Sequence, residues 1–194
     1  MAYTDASTLK QYLGITSSTD DALLTSLIAR AQSAIDTYTQ RTFEASADTT
    51  KYFDAVRPHV NGALLSWETL GLDLCAVTTV TNGDSTTVSS SNYVTEPRNT
   101  TPYHGLRLKA NSGITWTYDT DWEGAISITG RWAYSTSAPD DIAHACIRLA
   151  AFYYKQKDAG TFDTVAVPEA GVITVPQGMP RDVQIILNPY RKLI

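Results

Sequence analysis

This 194-residue chain has few cysteines and no excess of positive charge. Its two cysteines, Cys75 and Cys146, each lie in an apolar stretch, which predicts buried free thiols rather than a disulfide framework. The formal net charge of -5 argues against wrapping nucleic acid with the whole surface, because that requires cations to replace phosphate counterions. The sequence has no apolar run near the roughly 20 residues of a membrane helix, and its first residues lack the pattern of a signal peptide. We therefore expect a protein that is soluble where it is made.

The sequence motifs of several common enzyme classes are also missing. There is no GxxxxGK[ST] loop to hold phosphates, and no CxxC, HExxH or GxSxG pattern. His59 and His104 lie in turn-like sequence and His144 lies in a helical stretch, and none belongs to a nucleophile or metal motif. We therefore predict a protein that is not an enzyme, with no cofactor and no catalytic or metal site.

One acidic stretch, DTDWEG, resembles the opening of a calcium-binding loop. Its carboxylates are Asp119, Asp121 and Glu123, but Gly130 stands where such a loop needs a bidentate Glu. A strand-like sequence also follows where a helix is required. An acidic turn before a strand is the favoured interpretation, and a weak surface cation site stays open.

Helical periodicity is present towards both ends of the chain. Thr4 or Asp5 can cap a short helix that Gly14 ends. The stretch TDDALLTSLIARAQSAIDTYTQRTF predicts a long helix capped by Thr19, and a second long helix is predicted after Pro139. The residues predicted to pack these two helices together are Leu24, Leu27, Ile28, Ala31 and Ile35 on the first and Ile142, Leu149 and Tyr153 on the second.

Between the long helices, residues 49–134 form short runs of β-branched and aromatic residues separated by turn formers, which predicts strands. The Asn82-Gly83 step predicts a tight hairpin turn. The fold class expected from these elements is α+β: a small helical bundle, with two long helices and short N- and C-terminal helices, that carries an inserted antiparallel β region.

The chain beyond residue 157 is rich in Gly and Pro and predicts an extended arm with room for a local hairpin. Pro180 can then begin a short terminal helix in RDVQIILNPYRKLI. The predicted domains are residues 1–157, a helical core with the β insert at about 49–134, and residues 158–194, the arm and a C-terminal docking helix.

Four stretches of the sequence follow one another in a characteristic order. They are TLKQYLGI, DDALLTSLIARAQSAIDTYTQRTF, ISITGRWAYSTSAPDDIAHACIRLAAFYY and LNPYRKL. In this order they resemble the head-tail connector family of tailed bacteriophages, the adaptor or head-completion proteins beneath the portal. The resemblance implies a structural, homo-oligomeric ring, typically a dodecamer, at the head-tail interface of the virion, assembled in the host cytoplasm. The implied partners are the portal protein and a stopper or tail-completion protein, with DNA passing through the channel without sequence-specific binding and no membrane involved.

The resemblance also implies a role for the terminal helix, which would dock on the portal. The residues expected to dock are Val183, Ile186, Leu187, Tyr190, Arg191 and Lys192.

A second hypothesis is a β-rich module that binds a sugar or another flat ligand on a platform of Trp116, Trp122 and Trp132. Exposed, coplanar indoles would support this function, and burial of all three would remove it.

Overall fold

The computed structural model describes residues 2–159, 164–167, 171–174 and 178–192, and the chain divides into two compact units. The β unit is formed by residues 42–137. The helical unit is formed by residues 2–41 and 138–193. None of the helices described has the length and apolar character that a membrane crossing requires.

The helical unit contains the α-helices of the described chain: α1 (Ala6–Leu13), α2 (Asp21–Thr39), α3 (Asp140–Ala159) and α4 (Arg181–Leu187). The short first helix matches its predicted ends. The Asp5 carboxylate accepts a hydrogen bond from the Thr8 amide at 2.7 Å, and Gly14 ends the helix with a left-handed φ of 71°. These local signals are confirmed because each acts within one turn of the helix.

The start of α2 differs from the predicted Thr19 cap. Asp20 occupies the N-cap position, and its side chain makes no capping hydrogen bond. Its carboxylate accepts hydrogen bonds from Tyr154 Oη at 2.5 Å and Lys157 Nζ at 2.9 Å instead, and both lower the pKa of Asp20. These contacts join the start of α2 to the end of α3, so the two helices run antiparallel.

Apolar residues on both long helices are buried in the helical unit. These are Leu24, Ile28, Ala31 and Ile35 of α2 and Ile142, Ala145, Cys146 and Leu149 of α3. Leu27 and Tyr153, which were expected at the same packing surface, are half-buried, and the Arg30 guanidinium carbon lies 4.4 Å from the centroid of the Tyr153 ring.

Both cysteines are buried free thiols, as predicted. Cys146 lies between the long helices, with its Sγ 3.9 Å from the Ile28 carbonyl oxygen. Burial raises the pKa of the Cys146 thiol to about 12, and burial also raises the pKa of Cys75. Neutral, buried thiols of this kind act as small apolar side chains in a core.

The β unit contains two antiparallel sheets. Their strands are β1 (Thr49–Phe53), β2 (Val60–Asn61), β3 (Leu64–Ser66), β4 (Ala76–Thr81), β5 (Tyr93–Glu96), β6 (Gly105–Leu108) and β7 (Ile126–Arg131). One sheet has the order β1-β7-β4, and the other has the order β2-β3-β6-β5. Strand β7 therefore lies at the centre of the first sheet.

These two sheets show that the predicted fold class is wrong. The strands do not form an insert in a helical bundle, because they bury a hydrophobic core of their own. Its large side chains include Phe53, Trp67, Leu106, Ile126 and Ile128, each at most 1% exposed. A β region with such a core is a compact unit in its own right, and the same chain also forms a helical unit.

The chain reverses after β4 as the Asn82-Gly83 step predicts, with an antiparallel bridge between Thr81 and Thr87, but the turn is longer than the tight one expected. The Asn82 amide donates to the Thr86 carbonyl oxygen at 2.8 Å, and the positive φ, 64°, falls on Ser85. Asn82 is buried, and its side-chain amide donates to the Thr115 carbonyl oxygen at 2.9 Å. Gly83 is required by space, since a Cβ there would lie 2.3 Å from the Thr117 carbonyl oxygen.

Parts of the predicted arm, residues 160–163, 168–170 and 175–177, lie outside the described residues. Between them, β8 (Thr164–Val167) and β9 (Gly171–Thr174) pair as an antiparallel hairpin. The division of the chain into residues 1–157 and 158–194 stays a prediction.

We expect Gly130→Ala to destabilise the β unit by about 2–3 kcal/mol through overpacking. A Cβ at this position of the central strand would lie 2.2 Å from the Ala76 carbonyl oxygen and 3.0 Å from Leu74 Cδ1. Urea unfolding followed by tryptophan fluorescence measures this, because all four tryptophans belong to the β unit. Ser127→Ala on the same strand is the control, and equal stability of the two variants would contradict the packing argument.

Candidate functional site

The terminal helix α4 has a buried face and an exposed face. Val183 and Leu187 are four residues apart, so they share one side of the helix, and both are fully buried. Ile185 is 62% exposed, the most exposed large apolar side chain of the described helical unit. The helix is therefore held by one face and presents an apolar residue on another.

Polar contacts on the surface reinforce the position of α4 against α3. The Arg148 guanidinium donates two hydrogen bonds to Asp182 Oδ2, one of them 2.9 Å from Nε, and a third to the Tyr12 hydroxyl at 2.9 Å. The hydrogen bond from Arg148 lowers the pKa of the Asp182 carboxyl. Both charged side chains are more than 40% exposed, so water screens the pair and its contribution to stability is small.

The residues that follow α4 are tied to α2. The Tyr38 hydroxyl donates to Asn188 Oδ1 at 2.7 Å, and Arg41 Nε donates to the Tyr190 carbonyl oxygen at 2.7 Å. The Lys192 amide donates to the Thr39 carbonyl oxygen at 3.0 Å. The described end of the chain is thus folded onto its own helices.

The six residues expected to dock do not share one environment. Val183 and Leu187 are buried within the helical unit, so contact with a partner would require α4 to leave its place. Ile186, Tyr190 and Lys192 are half-buried, whereas Arg191 is exposed. The docking role of this set stays a prediction.

The sequence pattern does not single out Ile185, because Val183, Ile186 and Leu187 have i, i+3, i+4 spacing and form one apolar stripe by themselves. Ile185 stands outside that stripe, directly before Ile186. The signal in the sequence is its spacing: Ile185 is two residues from both Val183 and Leu187, which places it on the opposite side of a helix.

The three tryptophans of the ligand-binding hypothesis do not form an exposed platform. Trp116 is buried, and its indole nitrogen donates to the Ala63 carbonyl oxygen at 3.0 Å. Trp132 packs against Trp67, with ring centroids 5.3 Å apart and planes at 68°. Only Trp122 of the three is exposed, at 39%. The geometry gives no support to a flat-ligand platform.

The three histidine side chains have different surroundings. His59 Nδ1 accepts a hydrogen bond from the Asp54 amide at 3.1 Å. His104 lines an open groove of about 300 Å³ beside β3, β5 and β6, where Arg107 Nε pairs with Glu96 Oε1 at 2.8 Å. His144 is exposed on α3, in the other unit. Within the described chain these side chains assemble no nucleophile, base and orienting group.

The acidic turn after Tyr118 is exposed at Asp119, Asp121 and Glu123. The Asp121 carboxylate accepts a hydrogen bond from the Glu123 amide at 3.1 Å. Among the described residues, no three His, Cys, Asp or Glu side chains are grouped as a metal site would need.

A sequence model of a family described as head completion protein matches residues 2–193 of the chain. The chain belongs to the head completion protein family. This membership confirms the resemblance drawn from the order of the four stretches.

Two solved structures share the fold of this chain. One is a chain from the neck of an empty GTA particle computed with C6 symmetry, with a TM-score of 0.58. The other is from the virion of a native gene transfer agent (GTA) particle, with a TM-score of 0.54. Each is 17% identical to this chain, and each match covers 99% of this chain and 91% of the other. A search of curated proteins gives no match.

We expect Leu187→Ala to destabilise the helical unit by about 2–4 kcal/mol, because it leaves a cavity under α4. Ile185→Ala, two residues away in the same helix, should change stability by no more than about 0.5 kcal/mol, since its side chain is largely in water. Urea unfolding followed by far-ultraviolet circular dichroism compares the two variants. Equal effects would show that α4 does not pack by one face.

Proposed function

We propose that this head completion protein is a structural, non-enzymatic component of a tailed phage or phage-like particle, located in the virion at the head-tail interface. The observation that carries the proposal is the family match, which spans nearly the whole chain. The fold shared with chains of a gene transfer agent neck and virion agrees with this location. The surroundings of the histidines and the buried thiols give no competing support to an enzymatic role.

Within that role, we infer a homo-oligomeric ring under the portal, with a stopper or tail-completion protein on its other side. A ring of twelve copies is compatible with the C6 symmetry used for the related neck, because twelve is a multiple of six. DNA would pass through the channel, and the net charge of -5 would disfavour its binding to the wall.

For portal docking, we infer that the exposed part of the terminal segment makes the contact. The residues available are Ile185 and Arg191, which are exposed, and Ile186, Tyr190 and Lys192, which are half-buried. Val183 and Leu187 then hold α4 in place from below. Isoleucine, tyrosine and arginine side chains on a fixed segment suit an interface, because little conformational freedom is lost when they bind.

The first test is the mass of the purified protein, alone and mixed with portal rings of the same particle. We expect a complex with the portal that forms with the full chain and is lost when residues 180–194 are removed. Ile185→Asp should weaken the complex by about tenfold or more, because it places a charge in the centre of the apolar contact.

Leu70→Asp is the matched control, since Leu70 is an exposed apolar residue of the β unit and has no assigned role. It should bind the portal as the unaltered protein does. A protein that stays a monomer and ignores the portal would overturn the ring proposal. Portal binding that survives both Ile185→Asp and the deletion would overturn docking by the terminal segment alone.

A further inference from the structure

Three exposed aromatic side chains of the β unit lie on one loop and on the strand that its end adjoins. Tyr52 on β1 is 68% exposed, and Tyr118 and Trp122 in the loop before β7 are 41% and 39% exposed. A Cβ placed on Gly124 would lie 3.5 Å from Tyr52 Cβ, so the end of the loop adjoins β1. We call Tyr52, Tyr118, Asp119, Asp121, Trp122 and Glu123 the aromatic-acidic patch.

The loop that carries the patch is held by specific contacts. The Ala55 amide donates to the Trp122 carbonyl oxygen at 2.9 Å, and the Gly124 amide donates to Asp54 Oδ1 at 2.9 Å. Gly83 adjoins the start and the end of the loop, since a Cβ there would lie 3.0 Å from Tyr118 Cα and 2.9 Å from Ala125 Cβ. The aromatic side chains therefore stand on a fixed backbone, which lowers the entropy lost when a partner binds.

The carboxylates of the patch form no ion pair within the part of the chain that the structure describes. Asp119, Asp121 and Glu123 are exposed, and none forms an ion pair with another described residue. Three carboxylates around exposed Tyr and Trp side chains offer ion pairs at the rim and cation-π contacts at the centre. Arginine and lysine side chains satisfy both kinds of contact.

We propose that the aromatic-acidic patch is a docking surface for a cationic, arginine- or lysine-bearing segment of another protein. Charge complementarity decides this choice of partner. Phosphate-rich DNA would be repelled by the three carboxylates. A second copy of this chain fits less well because it also carries a net charge of -5.

The proposal goes beyond the head-tail role, because it assigns a second protein contact to the β unit, independent of the terminal helix.

Fluorescence anisotropy of a labelled Arg-Leu-Gly repeat peptide tests this docking surface. The same peptide with citrulline in place of arginine is the control probe, since citrulline keeps the shape and removes the charge. We expect the arginine peptide to bind, to bind more weakly as salt rises, and to bind at least about tenfold more tightly than the citrulline peptide.

Two variants locate the binding site. Trp122→Ala, and separately Asp119→Asn with Asp121→Asn and Glu123→Gln, should each weaken binding of the arginine peptide by about tenfold. Glu68→Gln with Leu70→Ala alters an exposed acidic and apolar pair elsewhere in the β unit and should leave binding unchanged. Tryptophan fluorescence and thermal unfolding check that each variant is folded.

Several results would overturn the proposal. These are no binding of the arginine peptide, equal binding of the citrulline peptide, or equal losses in the Glu68 and Leu70 variant. Loss with Trp122→Ala but not with the neutralised carboxylates would indicate an apolar partner instead. A self-associated protein that Trp122→Ala returns to a monomer would assign the surface to a second copy.

Discussion

Burial of one face of α4 is the constraint on which the arrangement of the terminal segment depends. Val183 and Leu187 lose contact with water within the helical unit, and this burial fixes which side of a two-turn helix points outward. The ion pair and hydrogen bonds at its surface help to orient the helix. They add little to the free energy of unfolding, because the charged side chains remain partly in water. Ile185 is exposed as a consequence of that orientation.

The β unit likewise combines buried side chains that pack in its core with exposed side chains next to them. Phe53 and Trp67 pack in the core with ring centroids 5.4 Å apart, while the neighbouring Tyr52 of the same strand is exposed. Strand alternation produces this difference between adjacent residues. The strand therefore places an exposed tyrosine next to a buried phenylalanine. The loop at Trp122 adds carboxylates, which make the surface negatively charged.

Local signals in the sequence predicted several elements well. Asp5 and Gly14 define the ends of α1, because capping depends on the nearest few residues. The family was also accessible from the order of helices and strands, which the match over residues 2–193 confirms. These are features that short windows of sequence, or their order, contain.

The rest depended on contacts between distant residues. Asp20 leaves its capping role for Tyr154 and Lys157, more than a hundred residues away. The β region proved to have its own core, and periodicity within a strand cannot show which elements share a core. Amide hydrogen exchange of residues 181–192, in the protein alone and bound to portal rings, tests whether α4 stays packed while the terminal segment docks. We expect the α4 amides from Gln184 onward to be protected in the free protein, because Gln184 makes the first backbone hydrogen bond of the helix, and the residues from 185 onward to gain protection on binding. Amides of α4 from Gln184 onward that exchange freely before binding, or show no change when the portal is added, would contradict this expectation.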